Sequence, residues 1–278
     1  MIIKNNMTIK IGGEAGMGVE SGGAGLVKAL SRGGLHVFAL QDYMSRIRGG
    51  HNFFQIRFSD NPVTASRDRI DILIAFDKES IQLHEKELLE NGQIIYDSVA
   101  LKQKYEKSSF LDVPFTDLAV KHGGNKIMAN TVAVGAVLGA LGMDLDILLK
   151  IMRDTFEKKG KDVIEGNINA AAAGHDFAVK NCRNCSFAVS PVSKQKMLIN
   201  GIEAIGFGAV ASGVKFYSAY PMTPSTGIMN YLADKEKDYG IIVEQAEDEI
   251  SAINMVLGAS FAGVRAMTGT SGGGFALM

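Results

Sequence analysis

"MTIKIGGEAGMGVE", residues 7–20, decides the fold. Met7 to Ile11 alternates like a strand, "GGEAGMG" (residues 12–18) turns the chain, and a helical pattern runs from Val19 to Arg32, closed by Gly33 and Gly34. This is a βα unit. Further strands are predicted at His36–Leu40, Phe53–Phe58, Ile70–Phe76, Gln93–Tyr96 and Ser109–Val113, with a helix after Asp77. "IDILIAF", residues 70–76, is apolar on both faces, as in a strand covered by helices on each side. Phe115 to Lys180 reads as about three helices, broken near 142–145 and 158–162. The alternation predicts an α/β fold.

Residues 181–197, "NCRNCSFAVSPVSKQKM", keep no period and read as a linker between a first domain, 1–180, and a second, 198–278. The second is predicted to run helix 201–212, strand 214–219, helix 224–237, strand 241–244, helix 247–262, strand 264–268, with the strands parallel. "TSGGGFALM", residues 270–278, then reads as the turn and opening of another helix. The second domain is therefore expected to be incomplete, as an interrupted gene product, a fragment, or a unit finished by another chain.

The chain has 278 residues, a net charge of -1 and 46% hydrophobic residues. No broad basic surface for nucleic acid is expected. The apolar run Ile127–Leu141 is too short and too diluted to cross a bilayer, so it reads as a buried helix. With two cysteines and no secretory leader, the chain is expected to be cytoplasmic and reduced.

Several groups of residues have a chemical reading. The glycine turn aims backbone N–H groups at an anion, yet Gly13, Gly16 and Gly18 reverse the dinucleotide spacing, and close helix–strand packing explains them equally well. Arg46 and Arg48 before Gly49 suit a phosphate or carboxylate, or an ordinary hairpin rim; His51 beside them reads as a packed loop residue. Cys182 and Cys185 form a lone C-x-x-C, short of the four ligands that a structural zinc or an iron–sulfur cluster requires, so no metal is expected on this chain. In "YPMTPST", residues 220–226, Pro221 and Pro224 restrict the backbone on either side of Thr223 and hold its hydroxyl, with a simple proline-started helix as the alternative. Glu247, Asp248 and Glu249 open a helix, where the macrodipole favours acids. A carboxylate there, shielded by an apolar interface, also suits proton sharing with a heterocyclic nitrogen.

"GGEAGMGV", "SRIRGGHN", "GNKIMANTVAVGA", "YPMTPST" and "EDEISAINMVLGASFAGVRAMTGTSGGGFALM", in this order, resemble the 2-oxoacid:ferredoxin oxidoreductases. The form resembled is the large subunit in which a γ-type domain precedes the thiamine-pyrimidine (α) domain. The resemblance implies a γ-type α/β domain followed by the first part of a thiamine-diphosphate pyrimidine-binding parallel-sheet domain. It implies that Glu249 hydrogen-bonds pyrimidine N1′ of thiamine diphosphate, so that the ring can deprotonate the cofactor's own reactive carbon, and that Thr223 lies beside that carbon and the substrate's 2-oxo group. Tyr220, Pro221 and Met222 would line the cofactor, and Arg46, Arg48 and Gly49 would face it or coenzyme A. Partners would be a smaller β subunit carrying the diphosphate, Mg2+ and a [4Fe-4S] cluster, together with ferredoxin, coenzyme A and a 2-oxoacid, most closely 2-oxoglutarate. Relatives continue past residue 278, and the arginine gripping the substrate carboxylate would lie there. A non-catalytic nucleotide- or CoA-binding module and an inactive fragment of the enzyme stay open as alternatives.

Overall fold

The protein is described by a computed structural model covering residues 2, 3, 5–44, 50–182, 185, 187–190, 192 and 196–278. It divides into two compact units, Met1–Leu198 and Ile199–Met278.

In the first unit, strand β1 (Asn6–Glu14) leads into helix α1 (Val19–Arg32), then β2 (His36–Asp42), β3 (His51–Ser59), β4 (Ile70–Ala75), helix α2 (Lys78–His84), β5 (Leu88–Tyr96) and β6 (Phe110–Asp112). The six strands form one sheet in the order β2-β3-β1-β4-β5-β6. β1, β4, β5 and β6 run parallel, whereas β3 pairs antiparallel with both β1 and β2, so the sheet is mixed.

The two faces of the sheet follow from the sequence alternation. Met7, Ile9 and Ile11 point into the large core with Ile56, Ile72 and Ile74. Leu73, Ala75, Ile94 and Tyr96 build a smaller core on the opposite face with Ile81 of α2. Period-two burial on both sides is what a central strand requires.

The large core is closed by α1, α3 (Ala129–Ala140), α4 (Asp146–Phe156) and α5 (Lys161–Asn181). The expected buried helix near 127–141 is α3, and ten of its twelve residues are buried. Among the described residues no helix is long and apolar enough to cross a membrane. α3 and α5 approach until an added Cβ on Gly135 would meet the Ala171 carbonyl and one on Gly174 the Val132 carbonyl. Glycine at these positions lets the two backbones touch.

The segment read as a linker is tied to the first unit by Val189 N–H to the Leu141 carbonyl (2.9 Å) and Val192 N–H to the Gly33 carbonyl (3.0 Å). Phe187–Ala188 pairs with Ile2–Ile3. The expectation of a reduced cysteine pair is corrected here: Cys182, just past the end of α5, is disulfide-bonded to Cys185, their Cα atoms 5.5 Å apart.

The second unit begins with α6 (Gly201–Ala211), opened by a reciprocal cap in which the Asn200 carboxamide accepts from Glu203 N–H and Glu203 accepts from Asn200 N–H. Strands β7 (Phe216–Ala219), β8 (Ile242–Gln245) and β9 (Ala266–Met267) form a parallel sheet with β7 central. Helices α7 (Thr226–Asp234), α8 (Glu249–Phe261) and α9 (Gly272–Leu277) follow them, so α9 occupies the turn-and-helix predicted from "TSGGGFALM". Tyr217, Ala219, Met229, Leu232 and Ile241 make its core.

Candidate functional site

β7 places Tyr220 to Pro224 at the carboxyl end of a central parallel strand, the position at which open α/β sheets hold ligands. The chain turns there because the Met222 carbonyl accepts both Ser225 Oγ (2.7 Å) and Thr226 N–H (3.1 Å). The Thr223–Pro224 peptide is cis, and α7 starts at Thr226 instead of at Pro224. Ser271 Oγ donates to the Thr223 carbonyl at 2.7 Å, which fastens this loop to the turn after β9. Thr223 and Tyr220 are exposed, while Pro221 and Met222 are half-buried.

Glu249 is the first residue of α8 and only 4% exposed. Its helix is capped by Asp248, whose carboxylate accepts Ser251 N–H at 2.6 Å. That backbone hydrogen bond holds the Asp248 carboxyl below its usual range. The acidic trio therefore divides its work. Asp248 caps and Glu247 is exposed, which leaves Glu249 turned inward.

The turn from Thr268 to Gly274 brings Gly274 and Thr270 up to Glu249. A Cβ on Gly274 would stand 2.5 Å from Glu249 Oε1 and collide with Thr270 Oγ1; one on Gly269 would collide with Tyr217 Oη. Tyr217 Oη, Thr268 Oγ1 and Thr270 Oγ1 are buried and have no hydrogen-bond partner among the described residues. Burial pushes the Tyr217 phenol up to about 12, so it is a neutral donor. A buried carboxylate that shares the Gly274 contact with the Thr270 hydroxyl, unpartnered among the described residues, fits a polar heterocycle that both donates and accepts. Sequence reasoning missed Tyr217, Thr268 and Thr270. The signal available was the alternation of hydroxyls in "TGTS", residues 268–271, at the end of β9.

In the first unit, the glycine turn is shorter than expected. β1 continues through Gly12, Gly13 and Glu14, which pair with Phe53, Asn52 and His51. Gly12 leaves room for Ser80, whose Oγ lies 2.6 Å from where a Cβ would be. Only Gly16 and Gly18 take positive φ, 95° and 82°. Beside this turn, at the carboxyl ends of β1, β4 and β5, a cavity of about 390 Å3 is lined by Gly16, Gly18, Phe76, Asp97 and Lys126. A second cavity, of about 840 Å3, is lined by Glu14, Gly16, Gln41, Tyr43, Met44 and Asn52. Arg46, Arg48 and Gly49 lie outside the described residues.

His51, expected as a packed loop residue, instead opens β3 and joins a buried network. Its Nε2 is 2.8 Å from His84 Nε2, and His84 Nδ1 is 2.9 Å from Glu87 Oε1. Glu87 Oε2 accepts Lys10 Nζ at 2.5 Å. Burial first, then the Lys10 charge, holds His84 below its usual pKa despite its hydrogen bond to Glu87. Burial opposes ionisation of Glu87, but the hydrogen bonds from Lys10 and His84 outweigh it and hold that carboxyl low. The consistent tautomer donates His84 Nδ1–H to Glu87 and His51 Nε2–H to His84. Among the described residues no group of three or more His, Cys, Asp or Glu side chains could hold a metal ion.

Residues 8–177 match the family model described as pyruvate ferredoxin/flavodoxin oxidoreductase, and residues 207–278 match the model for the thiamine-diphosphate-binding domain of pyruvate flavodoxin/ferredoxin oxidoreductase. The 2-oxoacid:ferredoxin oxidoreductase subunit alpha of a Sulfolobus species is 28% identical, over 96% of this chain and 50% of its own length. Over 29% of this chain and 23% of its own length, the 2-oxoglutarate synthase subunit KorA of Archaeoglobus fulgidus is 48% identical. The structure of 2-oxoglutarate:ferredoxin oxidoreductase from Magnetococcus marinus, with 2-oxoglutarate, coenzyme A and succinyl-CoA bound, superposes with a TM-score of 0.88. It is 31% identical and is matched over 99% of this chain and 49% of that one. The chain spans about half the length of the relatives it matches. It belongs to the pyruvate ferredoxin/flavodoxin oxidoreductase family, with an α/β part that matches the family's own model followed by a part that matches its thiamine-diphosphate-binding domain.

Proposed function

We propose that this member of the family serves a 2-oxoacid:ferredoxin oxidoreductase as the part that holds and activates the aminopyrimidine of thiamine diphosphate. The reaction is oxidative decarboxylation of a 2-oxoacid: carbon dioxide leaves, two electrons pass to ferredoxin, and coenzyme A takes the acyl group. The observation that carries this reading is Glu249, 4% exposed, set against Gly274 together with Thr270 Oγ1, a buried hydroxyl without a partner among the described residues.

Bound here, thiamine diphosphate would supply the nucleophilic carbon and the electron sink for decarboxylation. Glu249 would hold the proton shared with pyrimidine N1′, where exclusion of water strengthens the bond. Tyr217, Thr268 and Thr270 provide hydroxyls for the ring's remaining polar edge. Thr223, anchored through its carbonyl by Ser271, would present its hydroxyl to the 2-oxo group, with Tyr220, Pro221 and Met222 lining the approach. Diphosphate, Mg2+ and a [4Fe-4S] cluster would be held by a separate β subunit. Coenzyme A would lie along the first unit, with Arg46, Arg48 and Gly49 as the residues that the family resemblance offers to it. The substrate favoured is 2-oxoglutarate, supported by the 48% identical Archaeoglobus segment and by the ligands of the Magnetococcus structure. The reaction is placed in the cytoplasm.

Glu249→Gln in the complete assembly, measured by 2-oxoacid-dependent reduction of a viologen dye, tests the reading. A loss of at least about a hundredfold is expected from removing an acid–base group; an unchanged rate would refute it.

A further inference from the structure

A cavity of about 560 Å3 lies between α1, α3, α4 and α5 and shares Ser21, Ile127 and Asn130 with the cavity beside the glycine turn. Its floor is apolar: Val134, Leu148, Ile151 and Met152, with Met128 and Phe156 at the sides. Two cations, Lys28 and Lys159, stand at its edge, and no acidic residue lines it. Among the described residues neither lysine has an ion-pair partner.

Gly25 shows that the space is not a packing accident. It sits in the interior of α1, where glycine costs about 1 kcal/mol relative to alanine. Elsewhere in this unit helical glycines repay that cost by close approach of another element, as at Gly135 and Gly174. Gly25 lines the cavity, and an added Cβ there would meet no atom within 4 Å. A side chain added there would extend into the cavity's open space.

We propose that this cavity binds a carboxylate with an apolar body, an aliphatic or aromatic acid larger than a short 2-oxoacid. The body would fill the floor over Gly25, and the carboxylate would meet Lys28 and Lys159. A volume of this size suits a small organic ligand, and a charged head at a wet rim over a dry floor needs no buried charge. The proposal does not rest on the thiamine reading, because every residue named belongs to the first unit.

The test uses the full chain with 13C-methyl methionine and decanoate as the probe, since Met128 and Met152 report on the cavity. Hydrophobic dyes are unsuitable because Phe261 in the second unit is 97% exposed. Saturable shifts of these two methyl signals are expected. They should be lost in Gly25→Leu and about tenfold weaker in Lys28→Gln/Lys159→Gln, a surface pair that keeps the fold testable should the glycine variant fail. Absence of saturable shifts, full-strength binding in the lysine pair, or displacement of decanoate by coenzyme A would overturn the proposal.

Discussion

Gly274 stands against Glu249 so closely that a methyl group at position 274 would lie 2.5 Å from Glu249 Oε1. The contact joins the N-terminus of α9 to the first residue of α8, and it explains the last glycine of "TSGGG". Glycine allows a helix to start against a buried carboxylate. Gly274→Ala is expected to push the carboxylate or the turn aside, costing about 1–3 kcal/mol as overpacking does. Thermal unfolding should show the loss, and calorimetry with thiamine diphosphate should show weaker binding in the assembled protein.

Tyr217 carries the opposite sign. Its hydroxyl is fully buried and unpartnered among the described residues, so Tyr217→Phe removes a desolvated group that gains nothing in the free chain. The unfolding midpoint should stay level or rise. Absorbance titration of the wild type should leave one tyrosine neutral until about pH 12. A clear loss of stability in the variant would show that the hydroxyl is satisfied after all.

Lys10 is buried against Glu87, and neither is replaceable alone. Lys10→Met leaves a partly buried carboxylate without its cation and should cost about 1–3 kcal/mol, measured by urea unfolding. Adding Glu87→Gln should recover part of that. Simple additivity of the two losses would show that the pair is not coupled.

The same network makes stability pH-dependent. His84 and Glu87 both have folded pKa values below their ordinary ones of 6.5 and 4.5, so the unfolded chain binds more protons in both windows. Their contribution is complete above 6.5, is lost first through His84 as pH falls below that value, and then through Glu87 below 4.5. Lys10 and His51 face His84 and add to the penalty on its protonation. Urea midpoints should fall on acidification through the histidine window, and His84→Asn should flatten that part of the curve.

Much of this was legible in the sequence because strands and helices here follow their periods. "IDILIAF" is buried on both faces, the apolar run at 127–141 is α3, and the second unit holds three parallel strands. The glycine run reads as one turn in the sequence, because composition does not reveal that Gly12 and Gly13 stay in β1 to leave room for Ser80 and Phe76. Glu249 is singled out among the acidic trio 247–249 only by the family resemblance, and Asp248 as the cap emerges only in the structure. The hydroxyls of Tyr217 and Thr268 were not legible, since strand residues normally point such groups at water. The Lys10–Glu87 contact joins residues 77 apart, which no local pattern signals.

The most direct measurement is a crystal structure of the chain assembled with its β subunit and thiamine diphosphate. A Glu249 carboxylate oxygen within about 2.6–2.8 Å of pyrimidine N1′, closed to water, is the predicted result. A Glu249 side chain in solvent and away from the ring would contradict the account.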